Sequence, residues 1–312
     1  MKKIINNLTY LAIVGVSLIA MFSVQSCSKS SGSSSPVLIG GYASSDSVAS
    51  SNLVAYFPFD GNANDTKGGS TATSSSTVTF GTGVRGMAYQ GAAGAFATLN
   101  PSTAFNHLAS FTLSVWYFLP ALPVAGDPGG MFFLSGTNTL NEIILEADNP
   151  SPSQKTTDSV KIHHGFTDLG SAGWGGFTLE SYDTMALGKW EHLVMSYDGG
   201  SSTYTYYQNG IPTGTSSAWS NGKYVTPTTM YDGPLPLGSG TPPTTLLGNL
   251  SFTSDPPKQI VIGTWPATLY GVSASLGANG CFLGKLDELR IYNRALTQSE
   301  VAGLFLNGNA GR

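Results

Sequence analysis

The chain has 312 residues, of which only 10% are charged, with 14 basic and 18 acidic side chains and a formal net charge of −4. That balance argues against nucleic acid as a partner and against docking on anionic lipid by charge. With so few charges, the polar surface must come from Ser, Thr, Asn and Gly, which suits an exported β-rich protein.

The first element is Lys2-Lys3 followed by an apolar run from Leu8 to Phe22. A basic start and an apolar stretch of about 15 residues before small residues read as a secretory signal over residues 1–26. The run ends in Val24-Gln25-Ser26-Cys27. This resembles the lipobox of bacterial lipoproteins, with Val24 where that motif usually has Leu. The resemblance implies a mature chain that begins at Cys27, carries lipid there, and sits in the cell envelope on the outer membrane. Removing residues 1–26 removes Lys2 and Lys3 and no acid, leaving 12 basic and 18 acidic residues. Residues 28–51 hold 11 Ser in 24 positions, too little apolar area to fold, so 27–51 is expected to be a flexible tether. No later stretch approaches the ~20 apolar residues of a membrane span, so the membrane is met through the lipid alone. With Cys27 acylated, Cys281 has no partner for an intrachain disulfide.

From residue 52 onward the pattern is short alternating runs broken by Gly, Asn, Pro and Asp. Strands are expected at Leu53–Phe59, Phe111–Phe118, Met131–Leu134, Ile143–Leu145, Trp190–Tyr197, Gln259–Gly263 and Gly284–Tyr292. In Phe111–Phe118 the residues Phe111, Leu113, Val115 and Tyr117 share one face, while Trp116 and Phe118 weight the other. That predicts a central strand. Tyr204–Gln208 runs into Asn209-Gly210, a strong hairpin signal. Only Thr297–Leu306 reads as helical, a turn or two opened by a capping box of Thr297 and Glu300. Many short strands with almost no helix predict an all-β, antiparallel two-sheet sandwich over 52–312. A Pro-, Gly- and Thr-rich insertion at 219–257 holds seven of the 17 prolines.

Three blocks in order resemble one family. They are Asn52–Gly68, then Gly188–Gly199 with Tyr207–Ile211, then Phe282–Glu300. Together they are similar to the laminin-G-like, concanavalin A-like jelly roll of bacterial surface and secreted proteins. The resemblance implies a jelly roll whose first and last strands lie side by side. It does not imply a ligand, because this fold hosts lectins, glycosidases and adhesion modules. In the last block Leu289 and Ile291 share a face but Leu286 breaks the alternation, so a bulge is expected near Asp287-Glu288. In the first block Asp60, Asn62 and Asn64 have the two-residue spacing of calcium-loop openings. Side-by-side terminal strands would add Asp287, giving a structural Ca2+ site. The alternative is that Asp60, Asn62, Asn64 and Asp65 only make Asx turns.

Laminarinase-like glycosidases carry Glu-x-Asp-x-Glu on one strand, with all three carboxyls in the cleft. Here Glu142 and Glu146 match the outer spacing, but Ile144 stands in the middle. They are read as two acids on the exposed face of an edge strand. His163 and His164 should point to opposite faces, and His192 should be a hydrogen-bonded core residue. No catalytic residue is assigned. Loop aromatics remain, with Trp174 and Trp265 the preferred stacking platforms for a sugar. The reading is a lipid-anchored module that binds a glycan or glycoconjugate without cleaving it. A protein-binding adhesion module is second, and a glycoside hydrolase third.

Overall fold

The computed structural model describes residues 37–124, 127–137, 143–149, 159–166, 177–183, 186–213, 216–217, 227–230, 244–252, 256–266 and 280–312. In chain order the strands are β1 (Leu53–Phe57), β2 (Thr73–Ser74), β3 (Thr79–Thr82), β4 (Met87–Gln90), β5 (Ala97–Leu99) and β6 (Phe111–Phe118). Next come β7 (Gly129–Ser135), β8 (Ile143–Asp148), β9 (Val160–Phe166), β10 (Phe177–Asp183), β11 (Trp190–Asp198) and β12 (Thr203–Gln208). The set closes with β13 (Ile211–Pro212), β14 (Ser216–Ser217), β15 (Thr228–Thr229), β16 (Gln259–Ile262), β17 (Lys285–Tyr292) and the helix α1 (Gln298–Asn309).

These strands form two sheets. The first runs β13-β12-β11-β6-β17-β4-β3, with β1 also on β17 and β15 on β12. The second runs β14-β10-β9-β8-β7-β16-β5-β2. Every ladder between these strands is antiparallel. The fold is thus the antiparallel sandwich expected from the strand pattern. Its core lies between the sheets, where Phe111, Leu113, Val115 and Tyr117 of β6 meet Ile143, Leu145, Val160 and Ile162 of β8 and β9.

β6 is central, between β11 and β17. Its outward residues are covered rather than wet. Trp116 stacks on Phe305 of α1 at 5.6 Å and lies 4.9 Å from the ring of His192. Ser114 Oγ and His192 Nε2 are 2.8 Å apart, so His192 is the bonded, buried residue expected. α1 runs twelve residues, longer than the expected turn or two. Its capping box is present: Glu300 N donates to Thr297 Oγ1 and Thr297 N donates to Glu300 Oε2. Two glycines carry it on. A Cβ at Gly303 would overlap the Tyr42 ring, and one at Gly308 would overlap the Trp116 indole. The local pattern is poor because the helix is fitted to its neighbours by missing side chains. The Asn209-Gly210 turn has φ of 50° and 78°, the left-handed pair that a two-residue hairpin needs.

β1 and β17 are adjacent, with Phe57 opposite Leu289 and Leu53 opposite Tyr292. The bulge falls where the broken alternation puts it. Register against β6 slips between Asp287 and Arg290, and Glu288 takes a φ of 52°. The slip returns Leu286, Leu289 and Ile291 all to the core.

The expected tether at 27–51 needs correction at its C-terminal end. The compact unit starts at Leu38. Val48 is buried with Val194, Tyr292, Leu296, Val301 and Leu304. Asn307 Nδ2 donates to Ile39 O at 2.7 Å, and Ser45 donates to Arg312 O through both its amide and its hydroxyl. Arg85 grips both oxygens of Asp46, and Arg290 adds a third bond at 2.8 Å. Serine density hides this segment, because its anchors are a few bonds to its backbone and hydroxyls and one acid whose partners are 39 and 244 residues away.

Candidate functional site

Among the described residues, polar side chains gather at the rim of the first sheet and on the outer face of the second. The first is the rim where β1 and β17 meet the turn between β3 and β4. Asp287 Oδ2 accepts from Val84 N (2.8 Å) and Arg85 N (3.0 Å), and its Oδ1 accepts from Glu288 N. Asp60 Oδ1 accepts from Met87 N at 2.7 Å. Gly86 is required here: φ is +66°, and a Cβ would overlap Asp60 Oδ1. So Asp60 and Asp287 do reach one turn, as the side-by-side strands imply. Asn62 and Asn64 are spent elsewhere. Asn62 Oδ1 accepts from Asn64 N, and Asn64 Oδ1 accepts from Ala72 N, both at 2.9 Å. Asp65 holds three amides, those of Tyr56, Lys67 and Gly68. Calcium takes six to eight oxygens. Among the described residues no group of three or more His, Cys, Asp or Glu gathers for a metal. The four residues therefore do not fit a calcium shell. Amide donors hold an oxygen of each, and the Asx-turn alternative fits Asn62 and Asp65 only, since Asp60 and Asn64 hold the more distant amides of Met87 and Ala72.

The second place is the outer face of the second sheet. Alternation sends Ile143, Leu145 and Ala147 of β8 into the core, so Ile144, Glu146 and Asp148 point outward. By the same rule Lys161 and His163 of β9, and Glu180 and Tyr182 of β10, share that face. Register lines them up. Glu146 is opposite His163, and His163 is opposite Glu180. Asp148 is opposite Lys161, which is opposite Tyr182. The bonds follow. His163 Nδ1 is 2.9 Å from Glu146 Oε1, and its Nε2 is 3.3 Å from Glu180 Oε1. Lys161 Nζ is 2.6 Å from Asp148 Oδ2, and Tyr182 OH donates to Glu180 Oε2. The row is recessed but reachable: the side chains of His163 and Glu180 are 18% and 17% exposed, that of Glu146 only 2%.

Burial pulls the His163 imidazole down, but bonds to Glu146 and Glu180 outweigh it and raise it to about 9. The same bond to His163 holds the Glu180 carboxyl below the usual range against its burial. Beside the row lies an apolar floor of Phe133, Ile144 and Val261, and Trp265 packs against it half-buried. Gly130, opposite Glu146 on β7, lies against Thr264, the neighbour of Trp265. A Cβ at Gly280 would enter the Trp265 ring, so the indole is braced from one side.

Below the row, inside the sandwich, lies a second polar layer. His164 points inward, opposite in sense to His163, with Tyr204 OH and Ser181 Oγ 2.6 and 2.8 Å from its ring nitrogens. It stacks on Tyr206 at 4.3 Å, and burial lowers it to about 3. Asp183 is fully buried and accepts from Tyr117 OH at 2.9 Å and Tyr206 OH at 3.3 Å.

No protein-family model and no curated protein sequence matches the chain. Solved structures do match. Domain 4 of AbnA, a GH43 extracellular arabinanase from Geobacillus stearothermophilus solved with arabinotriose, aligns over 81% of this chain and 98% of its own. Identity is 19% and the TM-score 0.44. A Trypanosoma rangeli sialidase in complex with 2,3-difluoro-KDN aligns over 96% of this chain and 38% of its own, at 16% identity and TM-score 0.49. A mutant of HCR/D aligns over 81% and 50%, at 11% identity and TM-score 0.50. The likeness is one of fold. The chain spans half or less of the sialidase and HCR/D chains, and the sugars named with the first two belong to those proteins.

Of the site residues expected from sequence, Trp265 stands at the recess. Trp174 and Cys27 lie outside the described residues, as does Glu142 and most of 219–257. Within 219–257, β15 pairs with β12, and Leu250 and Phe252 enter the core. The expectation for Glu146 is corrected: β8 is not an edge strand but lies between β7 and β9, and Glu146 is buried. The row itself was missed from sequence. Its signal is there as period-two polar pairs on three strands: Glu146-x-Asp148, Lys161-x-His163 and Glu180-x-Tyr182.

Proposed function

We propose that this chain is a lipid-anchored cell-envelope module that holds a glycan on the outer face of its second sheet and does not cleave it. One observation carries the reading: a braced, half-buried Trp265 on an apolar floor, beside a recessed row of acids. Sugars present an apolar face and a rim of hydroxyls. An indole takes the face, and carboxylates are strong acceptors for the hydroxyls. A glycosidase needs one acid that keeps its proton beside one that has lost it. Here His163 lies between Glu146 and Glu180 and holds Glu180 ionised, so the two carboxyls are joined through one imidazole rather than set apart as acid and base, which supports binding over hydrolysis. The anchor is the lipid expected at Cys27.

The test is a glycan array and tryptophan emission on the soluble fragment 38–312, with reducing-sugar release followed in parallel. Oligosaccharide should shift the emission, and Trp265→Ala should weaken binding roughly tenfold, the effect of losing a central aromatic contact of more than 1 kcal/mol. No reducing sugar should appear. Release of reducing ends would replace binding with hydrolysis. Silence across a broad array would remove the glycan reading and leave protein adhesion.

A further inference from the structure

The recess is short of one positive charge and one hydrogen-bond donor. Lys161 lies 2.6 Å from Asp148 and 3.9 Å from Glu180. Glu146 and Glu180 share a single imidazole, 2.9 and 3.3 Å away. Even with His163 charged, the three carboxylates of Glu146, Asp148 and Glu180 face two cations, so one negative charge is left over. The missing donor is at Glu146. Its Oε1 is bonded to His163, but its Oε2 is buried and, among the described residues, receives no hydrogen bond. A buried carboxylate oxygen with no donor is costly and uncommon. It is tolerated where a ligand completes it. The opposite neighbour of Glu146 on β7 is Gly130, which offers no side chain to do so.

Resting on the glycan reading above, we propose that the recess selects sugars bearing a free amine, whose ammonium donates to Glu146 Oε2. A hydroxyl would supply a donor but no charge. A uronate carboxylate would add a fourth acid to a row that is already undercompensated. The order of affinity is therefore amino sugar, then neutral or N-acetylated sugar, then uronate.

The experiment uses the full-length protein and three oligomers of equal length: glucosamine, N-acetylglucosamine and galacturonate. Binding is read by Trp emission and by calorimetry, with thermal unfolding as the check on each variant. The glucosamine oligomer should bind about tenfold or more tighter than its acetylated form, the worth of a charge-assisted hydrogen bond. The galacturonate oligomer should bind weakest. Added salt should shrink the preference. Glu146→Gln should abolish it. If that variant does not fold, Glu180→Gln, whose position is more exposed, should reduce it. Equal binding of the three oligomers, or galacturonate first, overturns the amine inference and leaves the glycan reading standing. Binding of none overturns both.

Discussion

Asp183 sets up a measurable pH dependence of stability. Burial raises its carboxyl to about 7, with Glu191 pushing the same way and the hydroxyls of Tyr117 and Tyr206 opposing. In the unfolded chain the group titrates near 3.8. Between these values the folded protein keeps a proton that the unfolded chain has lost. Stability therefore falls as pH rises from about 4 to about 7, and is level above that. Each pKa unit corresponds to about 1.4 kcal/mol, so the roughly three-unit gap costs on the order of 4 kcal/mol. Asp183→Asn keeps the shape and cannot ionise. Urea unfolding of both proteins at intervals from pH 4 to pH 8 isolates the effect, because the other groups titrate alike in both. The wild type should lose about 4 kcal/mol relative to Asp183→Asn across that range. Parallel curves would refute the reasoning and mean that the carboxylate is solvated or paired when folded.

His163 should act in a different window. Its folded value, about 9, lies above the ordinary 6.5, so its stabilisation is complete below about pH 6.5 and lost as pH rises through 9. Against His163→Gln, the wild type should lose about 3 kcal/mol over that interval; a constant difference would mean the imidazole is neutral between its two acids. At the rim, Asp287→Ala strands the amides of Val84, Arg85 and Glu288 and should cost about 2–4 kcal/mol in unfolding experiments. That loss should be the same with and without EDTA. A wild-type midpoint that drops in EDTA, and an Asp60→Ala midpoint that does not, would restore calcium. Cys27→Ala should move the protein out of the detergent phase in partitioning; retention there would point to an uncleaved apolar segment.

What sequence could tell about this protein divides by distance along the chain. Alternation located β6, β11 and β17, and broken alternation located the bulge at Asp287-Glu288, because both are properties of one strand. The turn at Asn209-Gly210 and the Thr297 cap are equally local. The position of β8 inside its sheet is not local. Glu146 looks like an edge acid until β7 and β9 are known to flank it, and the row with His163 and Glu180 exists only through that pairing. The same holds for Asp46, whose two arginines are 39 and 244 residues away. The calcium spacing misled for a related reason: Asn62 and Asn64 have the right interval, but nearby amides claim their oxygens first.

The clasp of residues 38–51 has a mechanical consequence. A pull entering the compact unit at Leu38 meets the Ile39–Asn307 bond, then the Ser45–Arg312 pair, then Asp46 between Arg85 and Arg290. Only beyond these does it reach β1, which lies antiparallel along β17. The first three are separate fastenings, and under load they should break one after another. The β1–β17 ladder lies further in, and the Asp60 and Asp287 carboxyls pin the rim turn beside it. Load would thus be taken up in steps at this seam, leaving undisturbed the second sheet, none of whose strands pairs with β1 or β17.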